Sequence, residues 1–351
     1  MSIYLTKMRC RLSEWYQKNA RNLPWRETHD PYLIWVSEVI LQQTRVAQGL
    51  PFYYNFITNF PNVESLAAAQ EDAVLKIWQG LGYYSRARNM MKAAKVIVEK
   101  HHGIFPASIE TLKEIPGIGN YTAAAIGSFA FNIRIPAIDG NVRRVASRLY
   151  GLYEPIGSKK SDEAIEKLLL EEMKPCQPAL FNQAMMEIGA TVCKPTNPEC
   201  GMCPFQDVCV AFEGNLQKIL PVKPTKKAPK NVFIHYAFIN IEEFTWLEKR
   251  PENGIWKGLY EFPGILKKIN DDEINPFHDW FIEPNMVHMH KPIQVKHQLT
   301  HQTIFATLWQ FSCKEANIVK DKIKDKIKVR LSDIETFPVH RLMSKFIEKV
   351  M

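Results

Sequence analysis

The 351-residue sequence has no run that approaches the roughly 18 consecutive apolar residues of a membrane-spanning helix. Its opening string, MSIYLTKMRCRLSEWYQKN, alternates polar and apolar side chains and lacks the basic region and apolar stretch of a secretory signal. Internal repeats are also missing, which excludes repeat architectures. We therefore expect an intracellular, soluble protein.

Acidic residues are fewer than basic ones, which leaves a net charge of +8 and a pI of about 9.0. This excess suits a polyanionic partner through counterion release, but it is also common in proteins that never bind nucleic acid. With 46% hydrophobic and 23% charged residues, the composition is typical of globular proteins with well-formed cores. At this length we expect two domains.

The chain changes character near residue 215. From Leu5 to about Phe212 apolar residues recur every three or four positions, which predicts an all-α domain over residues 1–214. Residues 215–231 are rich in Lys and Pro, as in an interdomain linker. Residues 232–351 are predicted to be α+β. The predicted strands are residues 232–241, 244–250, 293–299 and 303–312, and the predicted helices are Asp271–Phe281 and Val339–Met351.

Four of the seven cysteines have the spacing C-x6-C-x2-C-x5-C at the end of the helical half. They are Cys193, Cys200, Cys203 and Cys209. Four thiolates this close in sequence can bind one metal centre, because without an export signal a disulfide set is not expected. Zinc sites usually pair two C-x2-C motifs, whereas here six residues separate Cys193 from Cys200. The spacing therefore favours a [4Fe-4S] cluster, with zinc as the alternative.

The string LKEIPGIGNYTAAAIG predicts two short helices joined by a glycine-containing turn. Gly117 and Gly119 allow a close approach of the backbone, and the amides of the second helix could bind a DNA phosphate. An ordinary helix–helix turn would have the same glycines. Asp139 follows 20 residues after Gly119, before a helix that carries Arg143, Arg144 and Arg148. An Asp before Gly-Asn is most often a helix cap when such a segment stands alone.

The hairpin, the Asp and the cysteines in this order resemble the helix-hairpin-helix DNA glycosylase superfamily that includes endonuclease III. Within it, the chain looks like the MutY-type adenine glycosylases. The strings that carry this resemblance are LPWR, WVSEVILQQTRV, QGLGYYSRARN, IDGNVRRV, FNQAMMEIGATVC and GIWKGLYEFP. They spread over most of the chain. The resemblance implies a multidomain protein: an all-α helix-hairpin-helix glycosylase domain with an iron–sulfur cluster, followed by an α+β Nudix-like domain.

The implied reaction is hydrolysis of an N-glycosidic bond, with adenine as the leaving group. Adenine leaves readily only when its ring is protonated, and Glu38, on an apolar helix, is the implied acid. A solvated helix Glu is the alternative. Asp139, with Asn141 beside it, would stabilise positive charge on the sugar. Tyr121 stands where strand-cleaving relatives have a lysine, and a phenol cannot form an imine. The resemblance thus implies a monofunctional glycosylase.

The resemblance also implies a set of DNA contacts. Extrusion of a base requires a side chain that fills the vacated space and a wedge that opens the stack. Gln43 and Tyr83 occupy the intercalating positions, although by local pattern a Tyr-Tyr pair after Gly-Leu-Gly is more often packing. Trp25, Arg26, Gln183 and Glu187 are implied pocket residues. Arg86, Arg88 and Arg143 are implied DNA contacts, with Gly117 and Gly119 in the hairpin.

The C-terminal string TWLEKRPENGIWKGLYEFPG resembles the opening of a Nudix fold. No R-E-x-x-E-E-x-G motif follows, so metal-dependent pyrophosphate hydrolysis is not expected. The resemblance implies that this domain instead recognises 8-oxoguanine opposite the adenine. The family's Phe-Ser-His is replaced by Leu299, Thr300 and His301, which keeps a hydroxyl and a polar ring but loses the aromatic stack.

The implied partner is duplex DNA with an 8-oxoguanine:adenine or guanine:adenine mispair. We expect a monomer in the bacterial cytoplasm, associated with the nucleoid through DNA. Two alternatives remain from the sequence. One is a bifunctional glycosylase and lyase of the endonuclease III type, and the other is a non-enzymatic DNA-binding protein stabilised by its metal.

Overall fold

The computed structural model describes residues 2–174, 176–225, 228–266, 275–282, 287–314, 323 and 325–351, with side chains from residue 11 onward. These residues form two compact units. The first comprises Met1–Ala68 and Asn89–Thr225, and the second comprises Ala69–Arg88 and Lys226–Met351. The second unit thus includes a segment from the helical half of the chain. The domain division predicted from the sequence, near residue 215, instead assigned this segment to the first domain.

The helices are numbered in chain order. They are α1 (Ser2–Asn19), α2 (Pro31–Leu41), α3 (Val46–Asn59), α4 (Val63–Ala68), α5 (Glu71–Ile77), α6 (Ser85–His101), α7 (Ile109–Glu114), α8 (Asn120–Phe131), α9 (Gly140–Tyr150), α10 (Lys159–Met173), α11 (Pro178–Thr191), α12 (Val210–Glu213) and α13 (Arg341–Val350). Among the described residues, none of these helices combines the length and apolarity that crossing a membrane would require.

Local sequence explains where several helices of the first unit begin and end. Asp30 caps α2 by accepting a hydrogen bond from the Tyr32 amide, and Pro31 occupies the first helical position. Asn132 and Gly151 adopt left-handed conformations that end α8 and α9. These caps fix the ends of the two helices that follow the hairpin and Asp139.

Apolar residues of α9, α10 and α11 form a core that is continuous with the cysteine region. Val145, Leu169, Phe181 and Ile188 are buried in it, and Phe205 joins it from the cysteine loop. Burial of each large apolar side chain contributes about 1.5–3 kcal/mol. The helix that follows Asp139 is therefore packed against the segment that contains the four cysteines.

The second unit is built on two sheets. Its strands are β1 (Lys230–Asn240), β2 (Phe244–Lys249), β3 (Tyr260–Glu261), β4 (Gly264–Leu266), β5 (His288–Met289), β6 (Ile293–Gln298), β7 (Gln302–Ser312) and β8 (Ile327–Arg330). In the larger sheet the order is β4-β1-β7-β5, with β6 also paired to β7, and the smaller sheet has the order β3-β2-β8. β1 and β7 run parallel in register from Lys230 opposite Gln302. Leu342 and Phe346 of α13 are buried in the core of these strands.

The predicted strands correspond to β1, β2, β6 and β7, and the predicted C-terminal helix corresponds to α13. Of the predicted helix Asp271–Phe281, residues 271–274 lie outside the described residues. For the remainder the prediction was wrong, since His278–Trp280 form only one 3-10 turn. Phe277, Trp280 and Phe281 are buried in an apolar cluster there, and this packing outweighs the helical periodicity.

Candidate active site

Glu38 lies near the end of α2, and its side chain is buried. The hydroxyl of Tyr121, in the first turn of α8, donates a hydrogen bond to Oε2 of Glu38. Burial raises the pKa of Glu38 to about 7, and the nearby negative charge of Asp139 adds to the rise. The bond from Tyr121 and the charge of Arg26 lower the same pKa. The alternative of a solvated Glu is therefore not what the structure shows, and this carboxyl group can hold a proton near neutral pH.

Asp139 is both the cap of α9 and a neighbour of Glu38. Its Oδ1 accepts from the Val142 amide at 2.7 Å, and its Oδ2 accepts from Nδ2 of Asn141 at 2.8 Å. Burial raises the pKa of Asp139, while the bonds from Val142 and Asn141 and the charge of Arg144 lower it. Asp139 is thus a helix cap, and the catalytic role that the resemblance implies for it stays a prediction. Two carboxyl groups, those of Glu38 and Asp139, therefore lie near each other, and burial raises the pKa of both.

Glu187, a predicted pocket residue, is fully buried and binds two arginines. It accepts from Nε and Nη2 of Arg21 at 2.7 and 2.8 Å and from Nη2 of Arg26 at 2.6 Å. Burial by itself would raise the pKa of Glu187, but the bonds from the arginines outweigh it and leave the pKa lowered. Arg21 was not predicted from the sequence, because it lies 166 residues from its partner and in no recognisable motif.

The other predicted pocket residues are held by neighbouring aromatic rings. Gln183 accepts a hydrogen bond from the Tyr16 hydroxyl at 2.8 Å. Trp25 is buried with its ring centroid 5.1 Å from that of Tyr53, in an edge-to-face arrangement. Tyr16 and Tyr53, which the sequence did not indicate, thus contact two of the predicted pocket residues.

The predicted glycine turn, residues 116–119, is present, and α8 begins at Asn120, one residue before the predicted start at Tyr121. Gly117 has a φ of +80°, and an added Cβ would lie 2.6 Å from Cβ of Asn89. Gly119 is the N-cap of α8, and an added Cβ there would meet nothing within 4 Å. The glycine at 117 is required by conformation and space, whereas the one at 119 leaves the backbone open to a ligand.

Both predicted intercalating residues have left-handed backbone conformations. Gln43, in the first unit, is exposed and has a φ of 60°. Tyr83, in the second unit, has a φ of 46° and is 49% exposed. Such conformations cost free energy in non-glycine residues and are concentrated at functional sites.

Tyr83 also contacts the predicted recognition loop. Its hydroxyl lies 3.0 Å from Oγ1 of Thr300, and either group could donate the hydrogen bond. Thr300 and His301 are both exposed, at the turn between β6 and β7. Leu299, which replaces the aromatic residue of the family, packs against the core of the unit. The structure thus brings a predicted wedge and a predicted recognition residue together.

The predicted phosphate-binding arginines make contacts within the protein. Arg86 lies over the rings of Trp78 and Tyr83, at 5.2 and 5.7 Å, and burial lowers its pKa to about 10. Arg88 is 7% exposed and forms an ion pair with Glu71. Because its guanidinium group faces protein atoms, the structure opposes the phosphate contact expected of Arg88.

Arg143 differs from these two in being partly exposed. Its guanidinium group binds Asp162 through two parallel hydrogen bonds of 2.7 Å. About 29% of its side chain remains exposed. A DNA contact by Arg143 would therefore involve an arginine that is already oriented by a carboxylate.

The four predicted ligand cysteines line one cavity of about 430 Å³, part of which is open to solvent. Among the described residues, no group of three or more His, Cys, Asp or Glu side chains is arranged to hold a single metal ion. Four cysteine thiolates are the ligand set of a [4Fe-4S] cluster, which these residues could hold. A bound cluster would cross-link the segment 193–209 through its four cysteines.

Two arginines of α9 connect to the segment that contains these cysteines. Arg144 donates to the carbonyl of Cys193 at 2.8 Å and to Oδ1 of Asn141 at 2.9 Å. Arg148, which is buried, donates to the Sγ of Cys193 at 3.4 Å and to the carbonyls of Lys194 and Gln217. Positive charge beside a ligand sulfur offsets the negative charge of bound thiolates.

Three protein families match separate parts of the chain. Residues 36–175 match the HhH-GPD superfamily of base excision DNA repair proteins, residues 193–209 the iron-sulfur binding domain of endonuclease III, and residues 235–349 the NUDIX domain. The match at residues 193–209 decides between the two metal alternatives. The cofactor is a [4Fe-4S] cluster, and the predicted order of an all-α glycosylase domain and a Nudix-like domain is confirmed.

Whole-chain relatives and solved structures agree with these matches. The adenine DNA glycosylase of Buchnera aphidicola subsp. Baizongia pistaciae is 37% identical, over 83% of this chain and 82% of the relative. That of subsp. Acyrthosiphon pisum is 40% identical, over 72% and 73%. A thermostable thymine-DNA glycosylase structure matches with a TM-score of 0.55 and 25% identity, over 61% of this chain and 96% of that one. The chain belongs to the adenine DNA glycosylase family.

Proposed function

We propose that this protein hydrolyses the N-glycosidic bond of adenine mispaired with 8-oxoguanine or guanine in duplex DNA. The observation that carries the proposal is the pair formed by the buried Glu38 and the partly buried Asp139, in which the pKa of Glu38 is raised to about 7. A carboxylic acid that is protonated near neutrality beside a second, separately bonded carboxylate is the arrangement that cleavage of a glycosidic bond requires.

In this proposal Glu38 donates its proton to a ring nitrogen of the extruded adenine, which makes the base a better leaving group. The C–N bond then breaks, and its electron pair leaves with the base. Asp139, ionised and oriented by Asn141, stabilises the positive charge that develops on the sugar. Water then adds to the sugar carbon from which the base has left and gives one proton to the Glu38 carboxylate, which restores the acid. Tyr121 orients Glu38 through its hydroxyl, and it provides no amine for an imine.

We propose that each unit contributes its own contacts to DNA. Gly117 and Gly119 would place the first amides of α8 at a phosphate, and Gln43 would enter the base stack. Tyr83 would act as the wedge beside the lesion, with Thr300 and His301 reading the base opposite adenine. The proposed domains are residues 1–214 for catalysis and 232–351 for lesion recognition, joined by residues 215–231.

The described part of the chain brings Glu38, Tyr121 and Asp139 together within one unit, which supports action as a monomer. Bacterial relatives and a DNA substrate support a location in the bacterial cytoplasm. Size-exclusion chromatography with light scattering on the holoprotein is expected to give one monomer mass. A stable dimer would contradict the monomer proposal.

The decisive experiment is a single-turnover glycosylase assay. Wild-type protein is expected to release adenine from 8-oxoguanine:adenine and guanine:adenine duplexes, but not from thymine:adenine pairs. Glu38→Gln should lose about 10²–10⁴-fold in rate, the usual contribution of a general acid, and retain its affinity. A wild-type protein that releases no adenine would falsify the proposal, and an unaffected Glu38→Gln would contradict the role of Glu38.

The same assay tests whether the protein removes the base without cutting the DNA strand. The product should be an intact strand with an abasic site, which breaks only after alkali treatment. Borohydride should trap no protein–DNA adduct, because Tyr121 cannot form an imine. An adduct that disappears when a lysine is replaced would instead support the bifunctional alternative.

A further inference from the structure

The segment Ala69–Arg88 belongs to the second unit and carries the exposed Tyr83. It contains α5, a turn with glycines at positions 80 and 82, and the first residues of α6. The function proposed above uses Tyr83 as a wedge but does not explain what holds its loop in place. The contacts of Arg88 supply such an explanation.

Arg88 joins two distant parts of the second unit. Its Nε donates to Oε1 of Glu71, on α5, at 2.9 Å. Its Nη2 donates to the main-chain carbonyl of Lys257, 169 residues away. Arg88 as a whole is 7% exposed, so solvent reaches little of its side chain. We refer to Arg88, Glu71 and the carbonyl of Lys257 as the Arg88 bridge.

Gly258 makes the close approach of Arg88 possible. It has a φ of +65°, and an added Cβ would lie 2.7 Å from Nη2 of Arg88 and 3.2 Å from Oε1 of Glu71. Gly258 belongs to the string GIWKGLYEFP, which resembles the opening of a Nudix fold but is not followed by metal ligands. In this chain the string forms one side of the Arg88 bridge.

The position of Arg88 is transmitted to Tyr83 through the main chain. The amide of Arg88 donates to the carbonyl of Tyr84 at 3.2 Å, and the amide of Arg86 donates to the carbonyl of Tyr83 at 2.9 Å. Both tyrosines are thereby bound to the first turn of α6. Fixing the side chain of Arg88 therefore fixes the turn on which Tyr83 is displayed.

Other contacts hold the same segment against the same strands. Asp72, on α5, accepts from Nζ of Lys249 at 2.8 Å and from the hydroxyl of Tyr260 at 2.7 Å. The hydroxyl of Tyr84 donates to the carbonyl of Val339 at 3.1 Å. These bonds accompany the Arg88 bridge, in which Arg88 is buried while the side chain of Glu71 is 43% exposed.

We propose that Arg88 is a positioning residue that acts on DNA through Tyr83. Arg88 fixes the position and orientation of Tyr83, and it does not bind a phosphate itself. This inference rests on the proposed function only in taking Tyr83 to be the wedge. It assigns to residues 255–261 a role in placing that wedge.

The test uses the full-length holoprotein and compares Arg88→Gln with wild type. Both carry Glu38→Gln, so that binding to an 8-oxoguanine:adenine duplex is measured without turnover. Arg88→Gln should weaken binding by about tenfold, because it removes the bonds that fix the wedge. In a Tyr83→Ala background the same change should weaken binding by less than about twofold, since the residue through which Arg88 acts is gone.

Salt dependence separates positioning from a phosphate contact. Loss of a phosphate contact lowers the slope of log Kd against log salt concentration by about one, whereas loss of positioning leaves the slope unchanged. Arg341→Gln is the matched control, because Arg341 forms an exposed ion pair with Glu348 and should leave binding unchanged. Thermal unfolding verifies that each variant is folded. Glu71→Gln, at a half-exposed residue, replaces Arg88→Gln if the latter does not fold.

The inference is overturned if the salt slope falls by about one, if the tenfold loss persists without Tyr83, or if Arg88→Gln and Glu71→Gln bind like wild type. Non-additivity with Tyr83→Ala at an unchanged slope supports it. Because binding is measured without base release, an absence of adenine release in the wild type contradicts the proposed function and leaves this comparison intact.

Discussion

At the scale of the residue, the raised pKa of Glu38 predicts the pH dependence of base release. The acid form is needed, so the single-turnover rate should fall about tenfold per pH unit above the pKa of about 7. A second limb on the acidic side should reflect protonation of Asp139, whose pKa burial raises. In Tyr121→Phe the loss of the hydrogen bond that lowers the pKa of Glu38 should move the alkaline limb to higher pH. A limb at the same pH in both proteins would contradict this role of Tyr121.

The same pKa has a consequence for stability. The pKa of Glu38 rises from 4.5 to about 7 on folding, so its favourable contribution is present below about pH 4.5 and is lost as the pH rises through about 7. Between about pH 5.5 and pH 8.5, Glu38→Gln should gain about 2 kcal/mol of unfolding free energy relative to wild type. Urea unfolding of both proteins at the two pH values measures this difference. If the difference in unfolding free energy is the same at both pH values, folding does not raise the pKa of Glu38.

At the scale of the element, α9 combines a structural cap with a proposed catalytic group. Asp139 caps the helix through the amide of Val142, and Asn is an equally good cap. Asp139→Asn should therefore keep the thermal stability of the wild type but lose about 10²-fold or more in rate, because the charge is removed. Asp139→Ala should lose the rate and also about 1 kcal/mol of stability. Equal destabilisation by both changes would mean that the charge, and not the cap, supports the fold.

Also at this scale, sequence patterns predicted the elements whose signals are local. The glycines of the hairpin and the aromatic and β-branched residues of β7 are visible in single segments, and both the turn and the strand are present. β3, with only Tyr260 and Glu261, is too short to show a period, and its place is set by pairing with β2. The prediction of a helix that ends at Phe281 was wrong, because Phe277 and Trp280 are buried in an apolar cluster with residues of the sheet. This burial outweighs the local helix propensity.

The same limit explains which site residues were missed. Glu38, Asp139 and the cysteines belong to strings that can be recognised, whereas Arg21 acquires its role only through a partner 166 residues away. Arg88 lies in a recognisable string, yet its partner is the carbonyl of Lys257, which no side-chain pattern reveals. Contacts between residues far apart in sequence, whether to a side chain or to the main chain, are thus the part of this site that the sequence could not predict.

At the scale of the whole molecule, the net charge of +8 predicts how DNA binding depends on salt. Affinity for any duplex should fall steeply as salt rises, because each phosphate contact releases condensed counterions. The proposed lesion contacts are of another kind, since Tyr83 and Thr300 carry hydroxyl groups. Plots of log Kd against log salt concentration, measured with Glu38→Gln for 8-oxoguanine:adenine and undamaged duplexes, should therefore be parallel.

The vertical separation of the two plots measures lesion recognition free of the electrostatic contribution. Thr300→Val removes a hydroxyl without changing charge, so it should narrow the separation and leave both slopes unchanged. Arg143→Gln should lower both slopes by about one and leave the separation unchanged, if this partly exposed arginine contacts a phosphate. A steeper slope for the damaged duplex alone would show that recognition of the lesion recruits additional phosphate contacts. In that case it would be wrong to divide the protein into charged groups that bind DNA and neutral groups that recognise the lesion.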